Sequence, residues 1–256
     1  MDTNYLYHYT SAAALVNILN HGFLRATQAW HLADGSECRH AIDTLREIEP
    51  CLINNELWTS LETALLSMPR YVVCFSKVRN DAYQWKNYGA DGAGACIVFD
   101  PKKAHNKRLN SSWELFECEY DQAAQRKRLD ELARELNKRG DQAIEEHMGE
   151  FWKWNIRFKR EEFSRENEIR YVFTAQRPAS PSAEQNESPE VEVLRRQSEG
   201  QLNKYSHPSN WFDERYRPFE PFGIKDAISE IILGPRFTTT RKYWGHLGDN
   251  YSINQI

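Results

Sequence analysis

The spacing of apolar positions changes repeatedly along this chain, and each change predicts a switch between extended and helical structure. Asn4–Tyr9 holds enough aromatic residues to form a strand, and the following A-A-A-L-V-N-I-L-N-H-G places Leu15, Ile18 and Leu19 at helical spacing. Thr10 or Ser11 can cap that helix, because a hydroxyl accepts an otherwise orphaned backbone N–H. Gly22 suits the left-handed residue that ends it, and Phe23–Thr27 can extend again. From about 37 to 68 the pattern is helical, broken at Pro50; Tyr71–Ser76 is then a compact β-prone run. Asn80 or Asp81 can cap a short helix carrying Trp85 and Tyr88, after which the glycines at 89, 92 and 94 release the chain into a strand at Ala95–Phe99.

Trp113–Tyr120 alternates loosely and is a further strand candidate. Residues 121 to about 160 are strongly helical, with Leu129, Leu132 and Leu136 on one face and a division at Gly140–Asp141, which predicts an insertion of two paired helices. Ile169–Thr174 reads as a strand, about 178–190 as a polar, mobile loop, and Ile228–Leu233 as a strand stopped by Gly234–Pro235. A last strand is expected near Tyr251–Ile253. No internal repeat is visible, and strands interleaved with helices without a regular βαβ rhythm predict one α+β domain over residues 1–256, with a mostly antiparallel or split sheet.

Composition narrows this only slightly. The formal net charge of −4 argues against a surface built wholly for nucleic acid. Five scattered cysteines without a C-x-x-C pair suggest neither a disulfide framework nor a zinc site, so a reducing compartment and no metal are expected. With no signal-like start and no run of about 18 apolar residues, the expectation is a cytoplasmic protein that does not associate with membrane.

Candidate chemistry concentrates at three predicted strand ends: His8-Tyr9-Thr10, Phe75-Ser76 and Arg165-Glu166-Asn167-Glu168-Ile169-Arg170. If the strand has begun at Glu166, Glu166 and Glu168 share one face, and their repulsion raises one pKa. Such a pair could stabilise a developing cation and activate a nucleophile; spacing alone favours the alternative, an exposed edge whose glutamates pair with Arg165 and Arg170. His8 reads either as a hydrogen-bonded structural histidine or as a ligand group, and Cys74 as a buried thiol. Trp85 and Tyr88, three apart, read as core or as a stacking wall for a planar ring. Phe151–Arg160 mixes aromatics with cations, as in a single-strand nucleic-acid groove or an amphipathic helix whose cations face water.

Taken together, L-Y-H-Y-T-S (Leu6–Ser11), C-F-S (Cys74–Ser76), W-x-x-Y (Trp85, Tyr88), the strand after Gly94, E-x-E-x-R (Glu166–Arg170) and I-I-L-G-P (Ile231–Pro235) resemble a widespread bacterial family of unknown function. That family in turn resembles the ADP-ribosyltransferase superfamily. The resemblance implies an NAD site in a split β-sheet, with NAD as substrate. His8 would bond the adenosine ribose, the Tyr9 backbone the nicotinamide carboxamide, and Thr10, Trp85 and Tyr88 would complete the pocket. Ser76 would orient Glu168, the carboxylate at the reacting ribose, and Glu166 would serve the acceptor.

It further implies a mono-ADP-ribosyltransferase acting on a nitrogen of RNA, DNA or protein, as a toxin or anti-phage defence effector restrained by an antitoxin or inhibitor protein. The alternatives are an NAD glycohydrolase and a non-catalytic RNA- or protein-binding module using Lys153, Arg157 and Lys159.

Overall fold

Local signals set the first elements. Strand β1 (Leu6–Thr10) ends at Ser11, whose Oγ accepts from the Ala14 N–H at 3.2 Å and starts helix α1 (Ala12–His21). Gly22, at φ 80°, closes α1 by donating its N–H to the Ile18 carbonyl, and β2 (Leu24–Gln28) follows. The computed structural model describes residues 5–32, 37–50, 59, 61, 70–105, 113–174, 216–219, 224–238 and 251–256. The expected loop at 178–190 and most of 51–69 lie outside the described residues.

The chain continues through α2 (His40–Ile48), β3 (Arg70–Ser76), α3 (Ala82–Asn87), β4 (Ala95–Phe99), α4 (Pro101–His105) and β5 (Trp113–Glu117). Two long helices follow, α5 (Gln122–Arg139) and α6 (Asp141–Arg157), and then β6 (Glu168–Thr174), β7 (Tyr216–Phe219), α7 (Ile224–Ala227), β8 (Ile228–Leu233) and β9 (Ile253–Gln255). The architecture is α+β: one open mixed sheet in the order β5-β6-β3-β1-β4-β8-β9, antiparallel except for β8 with β9, and flanked by helices.

The sheet forks at β3. One edge of β3 pairs with β6 along its whole length, from Arg70↔Thr174 to Ser76↔Glu168. The other edge is shared: β1 meets it at Tyr7↔Ser76, and β2 meets it at Thr27↔Val72 and Gln28↔Tyr71. From the fork, β1 leads to β4, β8 and β9, while β2 leads to β7.

Strand alternation sends side chains to two cores. Leu6, Val73, Phe75, Ile97, Phe99, Ile169, Tyr171 and Ile231 pack on one face with Leu15, Ile18 and Leu19 of α1. On the other face, Tyr7, Tyr9, Cys96, Val98 and Ile232 pack with Trp85, while Val72 and Val172 pack with Ile156 of α6. The paired helices are divided at Gly140, as expected from sequence, but they are not a free-standing pair. α2 joins them, so that Ile42 and Leu45 share a core with Leu129, Leu132, Leu136, Ile144 and Phe151. This three-helix layer delivers the end of α6 to the second face of the sheet.

Candidate functional site

The carboxylates of Glu166 and Glu168 converge, though not by strand alternation. The strand begins at Glu168; Glu166 ends a 3-10 turn over Glu161–Glu166, and Asn167 between them is left-handed at φ 44°, ψ 51°. The kink returns Glu166 beside Glu168, where a continuous strand was expected. Valine at 167 should therefore cost about 1–2 kcal/mol in thermal or urea unfolding, because a β-branched residue resists that conformation. Glycine at the same position should be tolerated to within about a few tenths of that unit, since it has no Cβ to clash.

Both carboxylates are buried, Glu166 at 4% and Glu168 at 6% exposure, and a cation lies between them. Lys159, 2% exposed, donates to Glu166 Oε2 and, at 2.7 Å, to Glu168 Oε2. Arg170, fully buried, grips Glu168 from two sides: Nε to Oε1 at 2.9 Å and Nη2 to Oε2 at 3.0 Å. The Cys118 thiol reaches Oε2 at 3.6 Å, and the Glu168 backbone N–H donates to the Tyr120 hydroxyl at 3.0 Å. Burial alone would raise the Glu168 pKa, but the charges of Arg170 and Lys159 outweigh it and hold the carboxyl well below the usual range. The mutual repulsion expected from E-x-E is thus replaced by a closed charge network.

Glu166 is positioned from the opposite side. Its carbonyl accepts from Ser76 Oγ at 2.7 Å and from Gln84 Nε2 at 2.9 Å, and its Oε1 accepts from the Tyr88 hydroxyl at 2.6 Å. Desolvation of that hydroxyl, together with its bond to Glu166, raises the Tyr88 pKa, so Tyr88 remains a donor. Ser76 stands directly across from Glu168 in the sheet, yet its hydroxyl fixes the Glu166 backbone rather than the Glu168 carboxylate. Trp85 and Tyr88 part company because α3 ends at Asn87. Trp85, 5% exposed, packs edge-on against Tyr9 in the core, while Tyr88, 46% exposed, sits at the mouth of the carboxylate site.

His8 lies elsewhere. Alternation along β1 turns it to the face opposite Tyr7, and its ring is 5.6 Å from Phe75 of the main core. It sits where β1 and β2 diverge from β3, and its Nδ1 bonds the Cys74 carbonyl at 3.0 Å. A carbonyl only accepts, so Nδ1 carries the proton and Nε2 is left as an acceptor. Burial pushes the His8 pKa down, against the hydrogen bond, which keeps the ring neutral near pH 7. Tyr9 pairs with Cys96 and sends its hydroxyl to the Val78 carbonyl at 2.9 Å; Thr10 is buried opposite Ala95. The structure therefore gathers Ser76, Tyr88, Glu166 and Glu168 into one site and leaves His8, Tyr9, Thr10 and Trp85 outside it.

Lys159, Arg170, Gln84, Cys118 and Tyr120 complete the site; of these the sequence placed only Arg170 beside the glutamates, as their ion-pair partner, and the pair with Glu168 is buried rather than on an exposed edge. Lys159 had one signal. It follows Asn155 by four residues and Phe151 by eight, on the buried stripe of α6 if the helical count is carried past its end. Of the three cations in the stacking-and-phosphate reading of Phe151–Arg160, Lys159 is buried, while Lys153 pairs with Glu150 and Arg157 lies beside Glu119 at the surface. Phe151 and Phe158 are core.

Residues 84–171 match the family model described as "Protein of unknown function (DUF2971)". No curated protein and no solved structure matches the chain. The matched segment runs from Gln84 to Tyr171 and so contains Tyr88, Lys159, both glutamates and Arg170, while β1 and Ser76 fall outside it. Nothing in these comparisons connects the chain to ADP-ribosyltransferases. Among the described residues no helix is long and apolar enough to cross a membrane, and no group of three or more His, Cys, Asp or Glu side chains is placed to hold a metal ion.

Proposed function

We propose that this chain is an NAD-dependent ADP-ribosyltransferase that modifies a nitrogen on a macromolecular acceptor. The observation that supports this most is the convergence of Glu166, Glu168 and Tyr88 on one site, with Ser76 holding the turn between the carboxylates in place. In this reading Glu168 stabilises the positive charge that develops as nicotinamide leaves the ribose, and Glu166 orients the acceptor nitrogen. Glu168 now gives both oxygens to Arg170 and one to Lys159, so a ribose hydroxyl must displace the Lys159 ammonium, while Arg170 keeps the carboxylate charged and in place. His8, on the sheet face opposite Ser76 and Glu168, takes no part in this reading.

The same closure favours a second reading, a module without catalysis in which the four charges serve only to fix the turn. Incubation of the folded wild-type chain with labelled NAD in lysate, followed by separate nuclease and protease digestion, distinguishes the two. Transfer should leave label on material sensitive to one of the digestions; intact NAD and unlabelled macromolecules would leave the non-catalytic reading. Free ADP-ribose without labelled product would instead indicate a hydrolase. Glu168→Ala is a poor control because it strips two buried cations of their partner. Glu168→Gln preserves the volume and is the variant to compare, with folding checked by circular dichroism.

A further inference from the structure

We propose that the groove between α3, the turn at residues 90–92 and the loop after β8 binds a compact organic anion with an apolar body. The groove is an open depression of about 470 Å³ lined by Ala82, Trp85, Pro235 and Ile256, with Lys86, Asp91 and Arg236 supplying charge. That volume lies within the usual span of small-molecule sites, roughly 300–1,000 Å³. The groove is separate from the carboxylate site: Gln84 of α3 reaches Glu166, whereas Ala82, Trp85 and Lys86 of the same helix face the groove.

Its wall is held in a costly conformation. Ala90, Asp91 and Gly92 are left-handed in succession, at φ 50°, 53° and 83°, and Asn80 across the groove is left-handed at φ 55°. For residues other than glycine this costs roughly 1–2 kcal/mol each, and such strain persists where the surroundings over-determine it, ligand clamps among them. Here the Arg236 N–H donates to the Gly92 carbonyl at 2.8 Å, the Gly234 N–H donates to the Gly94 carbonyl at 2.9 Å, and Arg236 Nε donates to the Asp91 carbonyl at 2.6 Å. A Cβ on Gly234 would collide with the Gly92 carbonyl, so the two loops fit only as drawn together. The Trp85 indole is fixed as well, donating Nε1–H to Asn80 Oδ1 at 2.9 Å.

Charge selects the ligand. Arg236 pairs with the Asp91 carboxylate, which offsets part of the repulsion that the acidic lining residue would exert on an anion. Nη2 meets that carboxylate and, together with Nε, donates to the Asp91 carbonyl, so that among the described residues the Nη1 edge of the guanidinium remains open and Lys86 has no ionic partner. An open ammonium and half a guanidinium above Trp85, Pro235 and Ile256 suit an anionic head carried on an apolar ring or chain.

The test uses phenyl phosphate as probe and the full chain labelled with ¹⁵N at its tryptophan indoles. Trp85→Phe identifies the Trp85 resonance by its loss. Phenyl phosphate should move that resonance saturably, phenol should bind about tenfold or more weaker, and Lys86→Glu should lower phenyl phosphate affinity by about tenfold or more. A Trp85 resonance that ignores phenyl phosphate, or that responds equally to phenol, overturns the proposal. So does unchanged affinity in Lys86→Glu with the remaining indole spectrum native.

Discussion

Replacing Lys159 with methionine lowers folding stability at neutral pH by about 3–5 kcal/mol in urea unfolding, the cost of breaking a buried ion pair from one side. Lys159 is the charge common to Glu166 and Glu168, and all three side chains are nearly out of contact with water. Without it, two buried carboxylates confront each other, and among the described residues Arg170 is the remaining cation paired with Glu168. The pH dependence separates this account from simple loss of packing. The Glu168 carboxyl titrates below its unfolded value, so the stability it contributes is complete above the ordinary carboxylate range and is lost as the pH falls through the lower, folded value. In the Lys159→Met chain Glu168 loses one of the charges that hold its carboxyl low and protonates more readily, so the gap from wild type narrows on acidification. A loss under about 1 kcal/mol, or a gap constant from neutral to acid pH, would show that the network contributes little.

The second large effect lies on the other side of Glu168. Arg170 has no exposure, and it holds Glu168 through Nε and Nη2 while giving Nη1 to the Ile156 carbonyl at 2.7 Å. Glu168→Ala and Arg170→Met should each cost about 3–5 kcal/mol, because each strands a buried charge. The double variant should cost less than the sum, by a coupling of about 1–3 kcal/mol, since it removes both members of the pair together. Additive losses in a complete cycle would mean that the two side chains act independently. The same cycle bears on function: any loss of NAD chemistry in Glu168→Ala must first be corrected for the unfolded fraction.

Signals confined to a few neighbouring residues were legible. Ser11 as cap, Gly22 as stop, the division at Gly140 and the strands at Tyr71–Ser76, Ala95–Phe99 and Ile228–Leu233 each depend on local backbone preference or short-range periodicity, and each stands in the structure. Reading failed where one residue broke the period. Asn167 interrupts the presumed strand, and the end of α3 at Asn87 takes Tyr88 out of phase with Trp85.

From its sequence alone, this chain determines an α+β arrangement, the position of most of its strands, and the presence of a carboxylate pair next to a strand. Tertiary structure alone decides what that pair is. The fork at β3 and the Ser76↔Glu168 register join strands whose paired residues are far apart in the chain, and α6 carries Lys159 into a site that its composition would have placed in water. The reason is physical: local patterns reflect backbone preference and the exposure of one face. Whether a charge is buried, and which opposite charge meets it, depends on contacts closed only when the sheet and the helical layer pack together.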